Sequence, residues 1–138
     1  MQLSRSKALL ASAAVIVSPV AFTSPAGADA SGCTGRNGPG QVNTSCVDLI
    51  GSGLYVERVK AHMGTGPDYH YLCLDNAAVW GTLENGQKYD VQVRPQCGHN
   101  AAWAYVHPRQ NFKAYTDVCA ATQWEGHWSR PACVTIKP

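Results

Sequence analysis

The sequence predicts a small, all-β, disulfide-stapled domain, a β-sandwich or barrel, preceded by a cleaved signal peptide. Three observations favour this class. Short apolar runs are separated by Gly, Pro and Asn at close intervals, which is typical of sandwiches and barrels. No segment carries a sustained helical stripe of apolar residues. All six cysteines follow the predicted cleavage sites, and an even number in an exported chain indicates a disulfide framework.

The amino terminus, residues 1–28, is interpreted as a secretory signal peptide. Arg5 and Lys7 provide a basic start, and an interrupted apolar run leads to two small-residue sites, so cleavage is expected after Ala28 or Ala30. The apolar run is shorter than the roughly 20 residues of a membrane-spanning helix. We therefore predict a secreted, extracellular protein with no membrane contact.

An alternative interpretation makes Cys33 a lipidated first residue. The preceding residues match a lipoprotein cleavage site poorly, because Ala30 occupies the position of a large aliphatic residue. Lipidation would also leave one of the other five cysteines unpaired in an oxidising compartment. We favour a Cys33 that forms a disulfide.

The charge of the mature domain is close to neutral. Removing Arg5 and Lys7 from the eleven Lys and Arg residues leaves nine, against nine Asp and Glu. A neutral balance without a basic stripe argues against nucleic acid and membranes as partners. The expected partner is an extracellular protein or a polysaccharide, bound by a monomer.

The segment directly after the signal, residues 31–47, is rich in Gly, Asn and Pro. This composition predicts a loop tied by its own cysteines rather than a regular element. The β-sandwich domain itself is predicted to span residues 48–138.

Two apolar runs open that domain. LYVERVKAHM (54–63) has an ambiguous period that a helix could also satisfy, but its brevity and glycine-rich flanks favour a strand with a bulge. YHYLCLD (69–75) is apolar and aromatic on both faces, which predicts a central strand.

Two further runs alternate. KYDVQV (88–93) points every second side chain inward, beginning at its second residue. AWAYVH (102–107) places Trp103, Tyr105 and His107 on one side of a strand.

The stretch LENGQKYDVQV (83–93) resembles the L-x-P-G-x-x-Y-x-V-x-V signature of fibronectin type III and other immunoglobulin-like domains. Leu83, Gly86, Tyr89 and the two following valines match, and Asn85 stands where proline is usual. The resemblance implies an immunoglobulin-like β-sandwich in which Tyr89 forms a tyrosine corner, with its hydroxyl bonded to upstream backbone. The same Asn-Gly pair is also a strong signal for a type I′ hairpin. We favour the corner because Leu83 and Tyr89 both require burial.

The last predicted element is a hairpin near the carboxyl terminus. A three-residue turn at residues 125–127 places Trp124 opposite Trp128 and Cys119 opposite Cys133, with an apolar ladder on one face. The closed loop of about fifteen residues stabilises the fold by roughly 3 kcal/mol in the chain-entropy model.

Local pairing extends to the other cysteines. Loop spacing predicts the disulfides Cys33–Cys46 and Cys73–Cys97 beside Cys119–Cys133. Pro131 cannot donate a hydrogen bond to a ladder, so the last strand is expected to lie at an edge or to bulge there.

The hairpin tip supplies the candidate binding residues, Trp124, Trp128 and His127. Two indoles on a rigid turn could stack on a sugar ring or anchor a protein partner, but packing as a cross-strand pair in or beside the core is the favoured interpretation, since paired aromatics commonly stabilise hairpins. We expect at least one of them to be structural.

Catalytic and metal sites are weakly indicated, and none is predicted. The five histidines show none of the local spacings that bring two imidazoles to one metal, and no cofactor is expected. His70 with Asp68 or Asp75 is the one acid–base set worth noting. The favoured function is therefore a secreted, non-catalytic binding module. The alternatives are a proteinaceous inhibitor of secreted hydrolases and a small hydrolase that uses His70.

Overall fold

The computed structural model of the chain describes residues 29–37, 43–65 and 71–138. These residues form strands and loops without a helix, so no helix among them is long and apolar enough to cross a membrane. The predicted signal peptide and His70 lie outside the described ranges. The strands are β1 (Ala30–Asn37), β2 (Asn43–Ser52), β3 (Tyr55–Gly64), β4 (Tyr71–Leu72), β5 (Asn76–Thr82), β6 (Lys88–Val93), β7 (Gly98–His99), β8 (Ala101–Val106), β9 (Gln110–Asn111), β10 (Asp117–Trp124), β11 (His127–Trp128) and β12 (Ala132–Thr135).

The strands form two larger antiparallel sheets and one small one. The first sheet has the order β1-β2-β3-β8, with β9 also paired to β3. The second has the order β11-β10-β5-β6, with β12 also paired to β10. Strands β4 and β7 pair with each other at one side. The predicted all-β class is confirmed.

One hydrophobic core lies between the two larger sheets. Strands β2, β3 and β8 contribute alternate side chains from one side, and β5, β10 and β12 do so from the other. Ser45 of β2 and Thr122 of β10, both fully buried, join the sheets by a hydroxyl–hydroxyl hydrogen bond of 3.0 Å. A second cluster of Met63, Leu72, Leu74 and Ala102 continues the apolar interior towards the small sheet.

The order of the strands differs from that of an immunoglobulin-like domain. In that fold the first two strands share a sheet and the third belongs to the other sheet. Here β2 and β3 are direct antiparallel neighbours, so the first three strands run consecutively in one sheet. The chain therefore has an all-β, disulfide-linked architecture with its own strand order.

Residues 31–47 are a correction to the sequence interpretation. The segment predicted to be a loop contains most of β1 and the start of β2, which pair with each other. The Cys33–Cys46 disulfide joins two directly paired positions of this ladder. Hydrogen bonds to β2 therefore hold a glycine-rich segment in strand conformation despite its composition.

The other strand predictions have mixed outcomes. The strand with a bulge predicted at residues 54–63 is present as β3, Tyr55–Gly64, and Glu57 is the extra residue between the pairs Ile50–Arg58 and Gly51–Val56. Strand β6 has the predicted bounds, and its alternate side chains face the core. The central strand predicted at residues 69–75 is wrong: β4 has two residues and belongs to the small sheet.

The segment that resembles a tyrosine corner is a hairpin. Leu83 N donates to Gln87 O at 2.8 Å and Gly86 N donates to Leu83 O at 2.9 Å, with Gly86 at a φ of 85°. This is a three-residue loop of a type I turn followed by a left-handed glycine. Leu83 is buried and the Tyr89 ring packs edge-on against Phe112, so both are core residues as expected. Within the described chain the Tyr89 hydroxyl makes no hydrogen bond, and the corner is not formed.

Tyr89→Phe is therefore expected to change the free energy of unfolding by no more than about 0.5 kcal/mol, since no hydrogen bond is lost. Burial raises the pKa of the Tyr89 phenol, which reflects the apolar surroundings of the ring. Urea unfolding of the two proteins measures the difference. A loss of about 1–3 kcal/mol would instead show that the Tyr89 hydroxyl makes a buried hydrogen bond, as a tyrosine corner requires.

Candidate functional site

The hairpin of β10 and β11 ends in a two-residue turn. Trp124 pairs with His127 and Gln123 with Trp128. The turn residues Glu125 and Gly126 have φ values of 48° and 77°, the left-handed conformations of a type I′ turn. The three-residue turn predicted from the sequence, with Trp124 opposite Trp128, is wrong.

Nearer the disulfide the predicted register is confirmed. Cys119 pairs with Cys133 and Ala120 with Ala132, and the three disulfides of the structure have the predicted partners. The register near the disulfide differs by one residue from the register at the tip. The extra residue lies in the returning chain between β11 and β12, where the ladder is interrupted before Pro131. The sequence predicted an edge or a bulge at Pro131, and a bulge is present there.

The new register places the two tryptophans on opposite faces of the hairpin, because neighbouring strand positions point in opposite directions. Trp124 is partly buried against the second apolar cluster. Trp128 is 44% exposed on the outer face of the second sheet. His127 is exposed and shares the face of Trp124, so the structure does not bring the three predicted binding residues together.

An open cleft of about 400 Å³ lies on the outer face of the second sheet beside Trp128. We call it the tryptophan cleft. Strands β5, β6, β10 and β11 and the segment that follows β11 contribute its lining: Ala78, Trp80, Asp90, Gln92, Ala121, Trp128, Ser129 and Pro131.

Strand register explains how these side chains converge. Trp80 pairs with Asp90, and Ala78 pairs with Gln92 on one side and Ala121 on the other. All of them occupy outward positions of the sheet. The small side chains at positions 78 and 121 make a low floor.

The two indoles stand at separate points of this floor. Trp80 is level with Cys119 on β10, whereas Trp128 is level with Gln123. A displacement of two strands and four residues puts their Cα atoms roughly 16 Å apart. The cleft thus offers two aromatic surfaces for an elongated ligand.

Polar groups line one edge of the cleft. The Gln92 amide accepts a hydrogen bond of 2.8 Å from Asn76 Nδ2, which orients its free nitrogen. The Asp90 carboxylate is exposed and has no ion-pair partner within 4.0 Å among the described residues. Both can hydrogen-bond to hydroxyl groups of a ligand.

Trp80, Asp90 and Gln92 were missed by sequence reasoning. The signal for the two polar residues was present, since the outward positions of the alternating run 88–93 are all polar. Trp80 lies in the run NAAVWGT, whose alanines hide the alternation between inner and outer positions. Only the pairing of β5 with β10 shows that its indole shares a surface with Trp128.

The described residues contain no group of three or more His, Cys, Asp or Glu side chains that could hold a metal ion. Of the acid–base set suggested from the sequence, His70 and Asp68 lie outside the described ranges. Asp75 instead accepts a hydrogen bond of 2.8 Å from Gly126 N and so fixes the hairpin tip.

Comparison with known proteins gives no match among protein-family models, curated proteins or solved structures. A proposal for the function therefore rests on the fold and on the side chains that line the cleft. The distinguishing features of the cleft are two indoles, a floor of small side chains and an exposed carboxylate and amide.

Proposed function

We propose that the chain is a secreted, non-catalytic polysaccharide-binding module whose ligand occupies the tryptophan cleft. The observation that carries the proposal is the placement of Trp80 and Trp128 on one outer sheet face, with Asp90 and Gln92 at its edge. Flat indole faces offer apolar contact to the C–H faces of sugar rings, and the polar side chains accept and donate hydrogen bonds to sugar hydroxyls.

The openness of the cleft favours a polymer over a small molecule. A small ligand is normally enclosed by its pocket, whereas a chain can cross an open surface and contact several points. The separation of Trp80 and Trp128 suits contacts to different sugar units of one chain. Because Asp90 is the one charged group among the described residues that line the cleft, neutral polysaccharides fit it better than anionic ones.

The same lining supports a role in binding. Glycoside hydrolysis ordinarily requires two carboxyl groups on either side of the scissile bond. Within the described part of the chain the tryptophan cleft contributes one, that of Asp90. Secretion is part of the proposal, since three disulfides in one small domain suit an oxidising extracellular environment.

The proposal is tested by pull-down on insoluble cellulose, chitin and β-1,3-glucan. The parent protein is expected to bind at least one of them, and Trp80→Ala to weaken that binding about tenfold or more, as for a residue central to an interface. Tyr71→Ala is the matched control, because Tyr71 is 64% exposed and lies outside the cleft. Absence of binding to all three polymers, or an equal loss in both variants, would argue against the cleft.

A second candidate function is inhibition of a secreted hydrolase by the hairpin tip. The observation in its favour is a rigid, exposed turn: Glu125 and Gly126 are exposed, and Asp75 holds the turn through the Gly126 amide. A rigid loop binds an active site with little loss of conformational entropy. Glu125→Ala would leave polysaccharide binding unchanged and abolish inhibition in assays of secreted proteases and glycosidases.

A further inference from the structure

A second cluster of functional side chains lies on the outer face of the first sheet. Three basic residues, Arg58, Lys60 and His62, occupy alternate positions of β3, while Val59 and Ala61 between them are fully buried. The alternation of the strand therefore directs all three basic side chains outward. We call them, together with Asp48, Trp103 and Tyr105 of the neighbouring strands, the basic face.

Aromatic side chains of β8 hold two of these cations in place. Lys60 pairs with Tyr105 and His62 with Trp103 across the strands. The Arg58 guanidinium lies 5.0 Å from the centre of the Tyr105 ring, and the Lys60 ammonium lies 6.0 Å from that of Trp103. Cation–π contacts of this kind leave the positive charge in place while they restrict the side chain.

Carboxylates do not neutralise these two cations. Asp48 pairs with Lys60 in the β2–β3 register, but its carboxylate lies 3.1 Å from His62 Nε2. In the described part of the chain neither Arg58 nor Lys60 has a carboxylate within 4.0 Å, and Arg58 Nε makes no hydrogen bond. Such an unpartnered buried donor is uncommon in a folded protein.

His62 contributes less charge than its position suggests. Burial lowers the pKa of the His62 imidazole, and Lys60 lowers it further, while Asp48 acts in the opposite direction. The net direction favours neutral imidazole. At neutral pH the positive charge of the basic face therefore comes from Arg58 and Lys60, and the carboxylate of Asp48 offsets part of it.

We propose that the basic face binds an anionic polysaccharide, at a site separate from the tryptophan cleft. Arg58 and Lys60 stand on adjacent outward positions, about 7 Å apart along the strand, so they can contact successive acidic groups of one extended polymer. The guanidinium binds carboxylates or sulfates through paired hydrogen bonds. The flat surface of a sheet suits a polymer laid across it.

Uronate polymers fit this surface better than single-stranded nucleic acid does. Binding of single strands relies on open aromatic rings on which bases stack. Here Arg58 and Lys60 already lie over the two rings. The near-neutral chain also lacks the extended basic groove that a phosphate backbone requires.

The test measures binding of polygalacturonate and of fully methyl-esterified polygalacturonate, which has the same sugar chain without the charge. The parent protein is expected to bind the acid form at low salt, to bind it more weakly as salt rises, and not to bind the ester. The double variant Arg58→Gln/Lys60→Gln is expected to lose about tenfold or more in affinity. Lys113→Gln/Lys137→Gln removes the same charge from exposed positions outside the basic face and should keep the parental affinity.

Three outcomes would overturn the inference: no binding of polygalacturonate at low salt, an equal loss in the two double variants, or equal binding of the ester. Tighter binding of polydeoxythymidylate than of polygalacturonate would assign the face to nucleic acid instead. Trp80→Ala separates the two sites, because it should weaken binding of neutral polymers and leave polygalacturonate binding intact. Thermal melts confirm that each variant is folded.

Discussion

Replacing Phe112 with alanine is expected to lower the free energy of unfolding by about 3–5 kcal/mol. Phe112 is fully buried, and its ring centre lies 5.6 Å from that of Tyr89 in an edge-to-face contact. Its backbone forms a bridge to Leu83 and donates to Leu54 O at 2.8 Å, so hydrogen bonds on two sides fix its position. The surrounding structure cannot collapse far into the cavity, which keeps the cost high.

Gly81 provides an independent check of this packing. A Cβ atom at position 81 would lie 2.8 Å from Phe112 Cε1, so Gly81→Ala is expected to destabilise the parent protein by about 1–3 kcal/mol through overpacking. In the Phe112→Ala background the added methyl group enters the cavity, and the cost should fall or change sign. This coupling is what a double-mutant cycle measures.

Urea unfolding of the parent, the two single variants and the double variant gives all four free energies. Tyr71→Ala serves as the surface control and should stay within about 0.5 kcal/mol of the parent. Additive effects of the two core changes would contradict the predicted contact between Gly81 and Phe112. A Phe112→Ala loss below about 1 kcal/mol would mean that the core relaxes around the missing ring.

An element could be predicted from the sequence where its local pattern and its tertiary contacts favour the same conformation. Residues 88–93 alternate strictly, and their apolar positions face the core. The cysteine pairs could be predicted because each closes a short loop, and two of them join directly opposed strand positions. A bulge can also be predicted from a single residue type, as the interruption of the ladder before Pro131 shows.

Strand order and turn length could not be predicted in the same way. Glu125 adopts a left-handed conformation that favours Gly or Asn, so the sequence pointed to a longer turn than the chain forms. Because the turn is one residue shorter than predicted, Trp128 lies on the other face of the hairpin. The cleft was hidden for a related reason: Trp80 and Trp128 are far apart in sequence, and only the pairing of three strands joins them.

The basic face had a clearer sequence signal. In RVKAH (58–62) the three basic residues alternate with apolar ones, which is the pattern of a strand with one buried face. The neutral total charge concealed it, because a balance summed over the whole chain says nothing about which strand positions share a surface. The predicted absence of a basic stripe is corrected to this extent: a short one exists on β3.

Trp124→Ala and Trp128→Ala are expected to have opposite effects, because the two indoles lie on opposite faces of one hairpin. Trp124 packs against the cluster that contains Met63 and Leu72, so its loss should lower the free energy of unfolding by about 2–4 kcal/mol, somewhat less than for a fully buried tryptophan. Trp128 is 44% exposed and contributes to the cleft. Its loss should alter stability by about 0.5 kcal/mol or less and weaken polysaccharide binding about tenfold or more.

Thermal or urea melts and polysaccharide pull-downs of both variants separate packing from binding. Trp124→Phe is a useful intermediate, since a smaller aromatic ring should retain part of the contact with the second cluster while Trp124→Ala leaves a cavity. If both alanine variants melt like the parent, Trp124 does not support the interior and the hairpin tip is a binding surface on both faces. If Trp128→Ala is destabilised as well, the two-residue turn is wrong, because the longer turn would pair Trp128 with Trp124 and place both indoles on the inner face.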